Sequence, residues 1–150
     1  MDGKTHRAVA IPAGICISLF QSKGEPLVDR IIEAAGAGCG APIGAIIPDR
    51  LDPLNNGPNH RSWVPSVSLT MAGGHLIRQK LSEAQQYLRA QSTAHAQEAK
   101  SATDPLVRIW HILCAWLCLF LAGCLAGFVV GYGSHLMLDA FTPRSLPLIC

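Results

Sequence analysis

Residues 109–134 contain no Asp, Glu, Lys or Arg, and this uncharged run limits the folds open to the chain. About 20 apolar residues are enough for a helix to cross the roughly 30 Å hydrocarbon core of a bilayer. Trp110, Trp116 and Tyr132 lie toward the ends of the run, where amphipathic rings favour the membrane interface. The alternative is a helix buried in a soluble protein. In so small a chain, the run favours one clear transmembrane helix.

The composition also favours lipid as the surroundings of the chain. Charged residues make up 15% of the sequence and apolar residues 49%, whereas soluble domains average about 25% charged residues. The net charge is only +2 and the basic residues are scattered. We therefore expect membrane lipid, and not nucleic acid, as the partner.

The cysteines do not form the pattern of a secreted disulfide framework. Most of the six lie inside apolar stretches, where reduced cysteine packs as a small hydrophobic residue. His111, Cys114 and Cys118 share one helical face. A soft-metal site there is conceivable, but packing in an apolar helix explains them better.

Three further segments predict helices and a loop. The N-terminus has the outline of a signal peptide, but Pro12 and the lack of an A-x-A site favour an uncleaved helix. Residues 66–100 carry apolar side chains at helical spacing among charged ones, which predicts an amphipathic helix in water or along the interface. Residues 48–62 are dense in turn formers and predict a polar loop.

Glycines recur at every fourth position in two stripes: Gly36, Gly40 and Gly44, and Gly123, Gly127 and Gly131. Small residues at this spacing let helix backbones approach closely, which matters in lipid, where apolar burial does not drive association. The stripes could pack on each other, with a kink at Pro42, or serve a homo-oligomer. The first stripe is equally compatible with a loop.

The predicted fold is therefore mainly α: a small helical membrane protein in one domain, residues 1–150. It has one clear transmembrane helix at about 109–134 within an apolar helix at about 106–140, a small-residue-rich helix and an amphipathic helix. Basic residues flank the apolar helix on both sides, so single-pass and multi-pass topologies both stay open.

Ionisable side chains gather where the apolar segments end. His135 and Asp139 are four residues apart, so on a helix they share a face and can hold one metal ion; otherwise the carboxylate only orients the imidazole. Further candidates lie in the polar loop and ahead of the first apolar run: Asp49, Asp52, His60 and His6. Mixed nitrogen and oxygen ligands suit zinc first and manganese second. A carboxylate outside the ligand set would serve as catalytic base, and Asp52 is the candidate.

Three stretches carry a resemblance to a known family: P-D-R-L-D-P at 48–53, P-N-H-R-S-W-V-P-S at 58–66, and G-Y-G-S-H-L-M-L-D-A-F-T-P-R-S-L-P-L-I at 131–149. In them the chain resembles the YdjM family of metal-dependent hydrolases of the bacterial inner membrane. The resemblance implies a hydrolase of an ester or phosphoester. It also implies five metal ligands: His6, Asp49, His60, His135 and Asp139. Asp52 lies where the acidic pattern of the family varies.

The sequence departs from that family at Pro65, which stands where the family pattern has a second loop histidine. Proline has no side-chain ligand, so the site lacks one donor, or His75 replaces it, or catalysis is lost. The alternative to a hydrolase is therefore a non-catalytic helical membrane protein with at most a structural metal. A scaffold without metal is the third interpretation.

Overall fold

The computed structural model describes the backbone of residues 3–51 and 67–140 and the side chains of residues 4–48 and 75–138. Over these ranges the chain forms four α-helices and no strand, which confirms the mainly α fold. The helices are α1, Gly3–Gln21; α2, Leu27–Leu51; α3, Val67–Ser101; and α4, Pro105–Ala140.

Two short turns join these helices in pairs. Between α1 and α2 the chain turns at Gly24, whose φ of 109° is readily adopted only by glycine. Between α3 and α4, the Oδ1 of Asp104 accepts a hydrogen bond from the backbone N–H of Leu106 at 2.8 Å. Asp104 thus caps α4, and Pro105 suits the first helical position because it needs no donor there. Each pair forms an antiparallel hairpin.

Small side chains fill the interior of the bundle. The buried apolar residues of the described chain are all alanines: Ala10, Ala34, Ala37, Ala41, Ala45, Ala99, Ala115, Ala122 and Ala126. Ala10 of α1 packs against Ala41 and Ala45 of α2. Because alanine keeps neighbouring backbones close, the helices pack through their backbones more than through interlocking large side chains.

The two glycine stripes pack on each other between α2 and α4. A methyl group added to any glycine of either stripe would overlap backbone atoms of the facing helix. Gly36 lies against Phe120, and Gly44 lies against Phe128, so α2 and α4 run in the same direction. The predicted packing of the stripes is confirmed, and the loop interpretation of the first stripe is wrong. The stripes cover one another within a single chain.

Large apolar side chains cover the outside of α4. The exposed fractions are 75% for Leu106, 64% for Trp110, 52% for Leu113, 57% for Leu117 and 43% for Leu121. By length and composition, two described helices could cross a membrane, Leu27–Pro48 and Pro105–Leu138. The sequence predicted one clear span. It did not predict α2 as a second span, because the many glycines and alanines of α2 make this helix only weakly apolar.

α3 forms the helix predicted at 66–100, although apolar side chains such as Leu76 and Tyr87 are exposed. An ion pair joins α3 to α2. The carboxylate of Glu33 is buried in α2, with its side chain 3% exposed, and the Arg89 guanidinium reaches it from α3 at 2.5 Å through Nη2 and 3.0 Å through Nε. Gln85 donates to the same oxygen at 3.4 Å. These polar contacts satisfy a carboxylate that would otherwise be costly to bury.

The observed bounds of α3 and α4 agree with the predicted ones, whereas α2 extends further than predicted. The polar loop was expected to begin at residue 48, but α2 continues through Pro42 and Pro48 to Leu51. Proline removes one helical hydrogen bond, and packing against a neighbouring helix helps a helix to tolerate that loss. The rest of the predicted loop, residues 52–62, lies outside the described residues.

Candidate metal centre

Three helix ends meet at one level of the bundle. His6 lies one turn before Ala10, which packs on Ala41 and Ala45 near the end of α2. His135 lies one turn after Gly131, which packs on Ala41. Because about 3.6 residues make one turn, the start of α1 and the last turns of α2 and α4 lie side by side.

His6 and His135 meet at this level. Their rings stack with centroids 4.1 Å apart and an interplanar angle of 25°. Both residues are 2% exposed, and their Nδ1 atoms are enclosed by protein. The structure thus brings together two of the predicted metal ligands from opposite ends of the sequence.

The donor chemistry of this pair fits a transition metal ion. Zinc binds imidazole nitrogen at about 2.0–2.1 Å, so two ligating rings must lie next to each other. The stack at 4.1 Å holds the His6 and His135 rings next to each other. Imidazole lone pairs lie in the ring plane, so one of these nearly parallel rings would have to rotate before both could bind the same ion. Aromatic stacking by itself is enough to explain this contact. Two imidazoles also supply only two donors, so a metal centre here would need further ligands.

The two acidic candidates that lie within the described helices are in the last turns of α2 and α4. Asp49 is in the last turn of α2, and Asp139 is in the last turn of α4, four residues beyond His135. The backbone register of α2 and α4 therefore places Asp49 level with His135, and Asp139 one helical turn beyond it. Asp52 and His60 lie outside the described residues.

Pro65 and His75 bear on whether the site has lost a donor. Pro65 lies outside the described residues. His75, the suggested substitute for the missing histidine, is exposed on the outer surface of α3.

A second cluster of ligand-type side chains lies at the α3–α4 hairpin. It consists of His95 and Glu98 from α3 and His111 from α4, with one ligand atom of each within 4.8 Å of the others. The Nδ1 of His95 is 3.1 Å from the Nδ1 of His111 and 3.3 Å from the Oε2 of Glu98. The Nδ1 of His111 is 2.9 Å from the same oxygen. This group could hold a metal ion.

Sequence reasoning missed this cluster because it considered His111 only along its own helix, with Cys114 and Cys118. The usable signal was an H-x-x-E pair, His95 and Glu98, followed by a helix break and then His111. Residues three apart share a helical face, and a tight hairpin returns the next helix along that face. Recognising the break as a hairpin would have joined the three residues.

The free cysteines of the described chain are Cys16, Cys39, Cys114, Cys118 and Cys124. Three of them lie on α4, among its apolar side chains. They carry no part of either histidine cluster.

No protein-family model, curated protein or solved structure matches the chain. The resemblance to the YdjM family therefore stays a prediction that rests on the three sequence stretches.

Proposed function

We propose that the chain is a membrane-bound, metal-dependent hydrolase of an ester or phosphoester, with its metal beside His6 and His135. The observation that carries this proposal is the buried stack of these two imidazoles at 4.1 Å, where three helix ends meet. The resemblance to the YdjM family supplies the remaining ligands: Asp49, His60 and Asp139.

Each residue has a distinct role in the proposed chemistry. A divalent ion held at the pair would supply Lewis acidity and lower the pKa of a nearby water toward neutrality. His6 and His135 would donate nitrogen lone pairs from their neutral rings. Asp52 would accept the proton of the attacking water as general base. Zinc suits a set that contains three imidazoles, and manganese is the alternative if carboxylates dominate.

The surface of the bundle supports a membrane location. Large apolar side chains face outward on α4 while alanine and glycine fill the interior. This arrangement suits lipid, which solvates large apolar side chains as well as a protein core does. We propose the bacterial inner membrane, as the family resemblance implies, with lipid as the immediate partner. A homo-oligomer would need a surface other than the glycine stripes.

A non-catalytic membrane protein is the competing proposal, and Pro65 is the observation that favours it. With proline in place of the family histidine, the site has one donor fewer. A metal could then remain as a structural element without turnover. Metal content and hydrolysis therefore have to be measured on the same preparations.

The test measures zinc and manganese in detergent-purified protein by elemental analysis. All variants carry Glu98→Gln, which removes one donor of the second cluster. Metal bound at the hairpin then contributes little to the measured content. Within this background, His6→Ala and His135→Ala are compared with the control Gln86→Ala, which changes an exposed residue of α3 outside both clusters. The same preparations are assayed on bis(p-nitrophenyl) phosphate, p-nitrophenyl acetate and phosphatidylcholine vesicles.

We expect about one metal ion per chain and metal-dependent hydrolysis in the control, with both lost in either site variant. Metal without hydrolysis of any probe would support the non-catalytic alternative. Equal and negligible metal in all folded variants would rule out the proposed centre.

A further inference from the structure

The hairpin cluster has the size of a metal coordination site. The three edges of its donor triangle, between the His95, Glu98 and His111 ligand atoms, are 2.9, 3.1 and 3.3 Å. In a tetrahedral zinc site with bonds of about 2.0–2.1 Å, neighbouring ligand atoms are about 3.3–3.4 Å apart. The cluster would need to expand by only a few tenths of an ångström to receive an ion.

Protons alone cannot make all three contacts favourable. Each Nδ1 atom carries either a proton or a lone pair. If both His95 and His111 carry protons toward Glu98, the protons face each other across the 3.1 Å gap between the nitrogens. If only one does, the lone pair of the other nitrogen faces the carboxylate oxygen. A divalent cation would accept all three lone pairs at once.

The exposure of the cluster leaves a route for an ion and a place for water. The side chains of His95 and His111 are 29% and 21% exposed, and that of Glu98 is 57% exposed. The imidazoles are thus held between two helices while one side faces solvent. Two imidazoles and one carboxylate leave the fourth tetrahedral position free, as in open zinc sites.

We propose that His95, Glu98 and His111 bind a divalent transition metal ion, zinc by its donor set, and that this ion fastens α3 to α4. Two ligands come from α3 and one from α4, so binding requires the closed hairpin and stabilises it. Structural ligation of this kind converts metal affinity into folding free energy.

This site is separate from the one in the proposed function. His111 and His135 lie on the same helix, and at about 1.5 Å rise per residue their backbones are about 36 Å apart. One ion cannot bridge them. The two proposed sites can therefore be tested independently of each other.

The test titrates detergent-purified protein with Co²⁺ and then displaces it with Zn²⁺. A His6→Ala, His135→Ala background removes the first centre, and visible absorption reports cobalt bound to nitrogen and oxygen ligands in a four-coordinate site. His95→Ala, His111→Ala and Glu98→Gln are compared with His75→Ala. We expect one equivalent bound in the His75→Ala control. Affinity should be more than about 100-fold weaker without either histidine, because even outer-shell changes cost 10–100-fold.

A second measurement uses the otherwise unchanged chain, in case the background fails to fold. Glu98 is largely exposed, so Glu98→Gln should fold normally. We expect Zn²⁺ to raise the thermal midpoint of the wild-type protein more than that of Glu98→Gln. We also expect the wild-type protein to bind one more equivalent of Zn²⁺ per chain than Glu98→Gln does. Equal stoichiometry and equal stabilisation in the two proteins would overturn the proposal. Co²⁺ affinity that is unchanged in His95→Ala and His111→Ala would also overturn the proposal.

Discussion

Gly127 of α4 lies so close to the backbone of Ala37 of α2 that no methyl group fits between them. We expect Gly127→Ala to force the two helices apart along the stripe. Overpacking of a tight contact typically costs about 1–3 kcal/mol, and here the overlapping atoms are backbone, which cannot rotate away. The expected result is a loss of at least about 2 kcal/mol, measured by denaturation in detergent.

Gly133→Ala is the matched control, since it lies on the same helix two residues past Gly131. A Cβ at Gly133 meets nothing within 4 Å. Alanine has the higher helix propensity by about 1 kcal/mol, so this change should be neutral or stabilising. If Gly127→Ala behaved like Gly133→Ala, the close packing of α2 on α4 would be disproved.

A helix could be predicted from the sequence wherever its own residues carried a clear local pattern. The uncharged run predicted α4, and the apolar spacing among charges predicted α3. α2 was harder because its glycines and prolines, taken locally, read as a loop as readily as a helix. Its glycines pack against the complementary stripe of α4, which lies far away in sequence. A local pattern could suggest that pairing but could not decide it.

The candidate centres show the same limit. His6 and His135 were selected because each lies at the end of an apolar segment, and the family resemblance implied both as ligands, but nothing in local spacing joins them to each other. They meet because α1 and α2 form a hairpin and α2 runs parallel to α4. The His95–Glu98–His111 cluster needed only one hairpin to be recognised. It was missed because His111 was assigned to its own helix.

The Glu33–Arg89 pair predicts that the packing of α3 depends on its ionic contact with α2. Arg89→Ala leaves a buried carboxylate without its cation, a change that costs about 3–5 kcal/mol in fully buried pairs. Because the Arg89 side chain is 35% exposed, solvent should reduce this to about 2–3 kcal/mol. The double variant Glu33→Gln, Arg89→Gln should recover part of the loss, as shown by a double-mutant cycle of unfolding free energies.

Lys80→Ala is the control for that prediction. Lys80 and Glu83 form an exposed pair at 2.7 Å on the same helix, and the hydrogen bond from Lys80 holds the pKa of Glu83 below its usual value. Solvent screens such pairs, so Lys80→Ala should leave the unfolding curve unchanged. A loss equal to that of Arg89→Ala would mean that charge on α3, and not the buried pair, sets stability.

The charged side chains of α3 predict that its outer face contacts water. Because α2 and α4 run in the same direction, α3 must carry the chain back along the bundle, and it exposes charged side chains such as Arg78 and Glu83. Charged side chains are expensive in lipid. We expect Gln86→Cys in liposomes to react with a membrane-impermeant maleimide above the background of the native cysteines. Leu117→Cys, on the apolar face of α4, should not; equal labelling of both would contradict this orientation.

A membrane location predicts an asymmetric response to arginine at two exposed leucines. Leu121 is at the centre of the apolar run and 43% exposed, and Leu76 is on α3 and 64% exposed. Arginine at the centre of a spanning helix costs about 2.5–3.5 kcal/mol in membrane insertion. Leu121→Arg should therefore reduce the membrane-bound fraction in a sedimentation assay while Leu76→Arg leaves it unchanged. In a soluble protein both surface changes would be tolerated alike.

The His6–His135 stack predicts two separable energies, one from the rings and one from a metal. Stacked rings contribute about 0.5–1.5 kcal/mol beyond their burial, so a double-mutant cycle with His6→Ala and His135→Ala should show that coupling in chelator. If both rings also ligate one ion, each single variant already removes most of the metal stabilisation. The coupling energy should then rise when zinc is added in excess. The cycle should be run in the Glu98→Gln background, which removes the hairpin contribution. A coupling that is the same with chelator and with zinc would show that the pair is a structural stack alone.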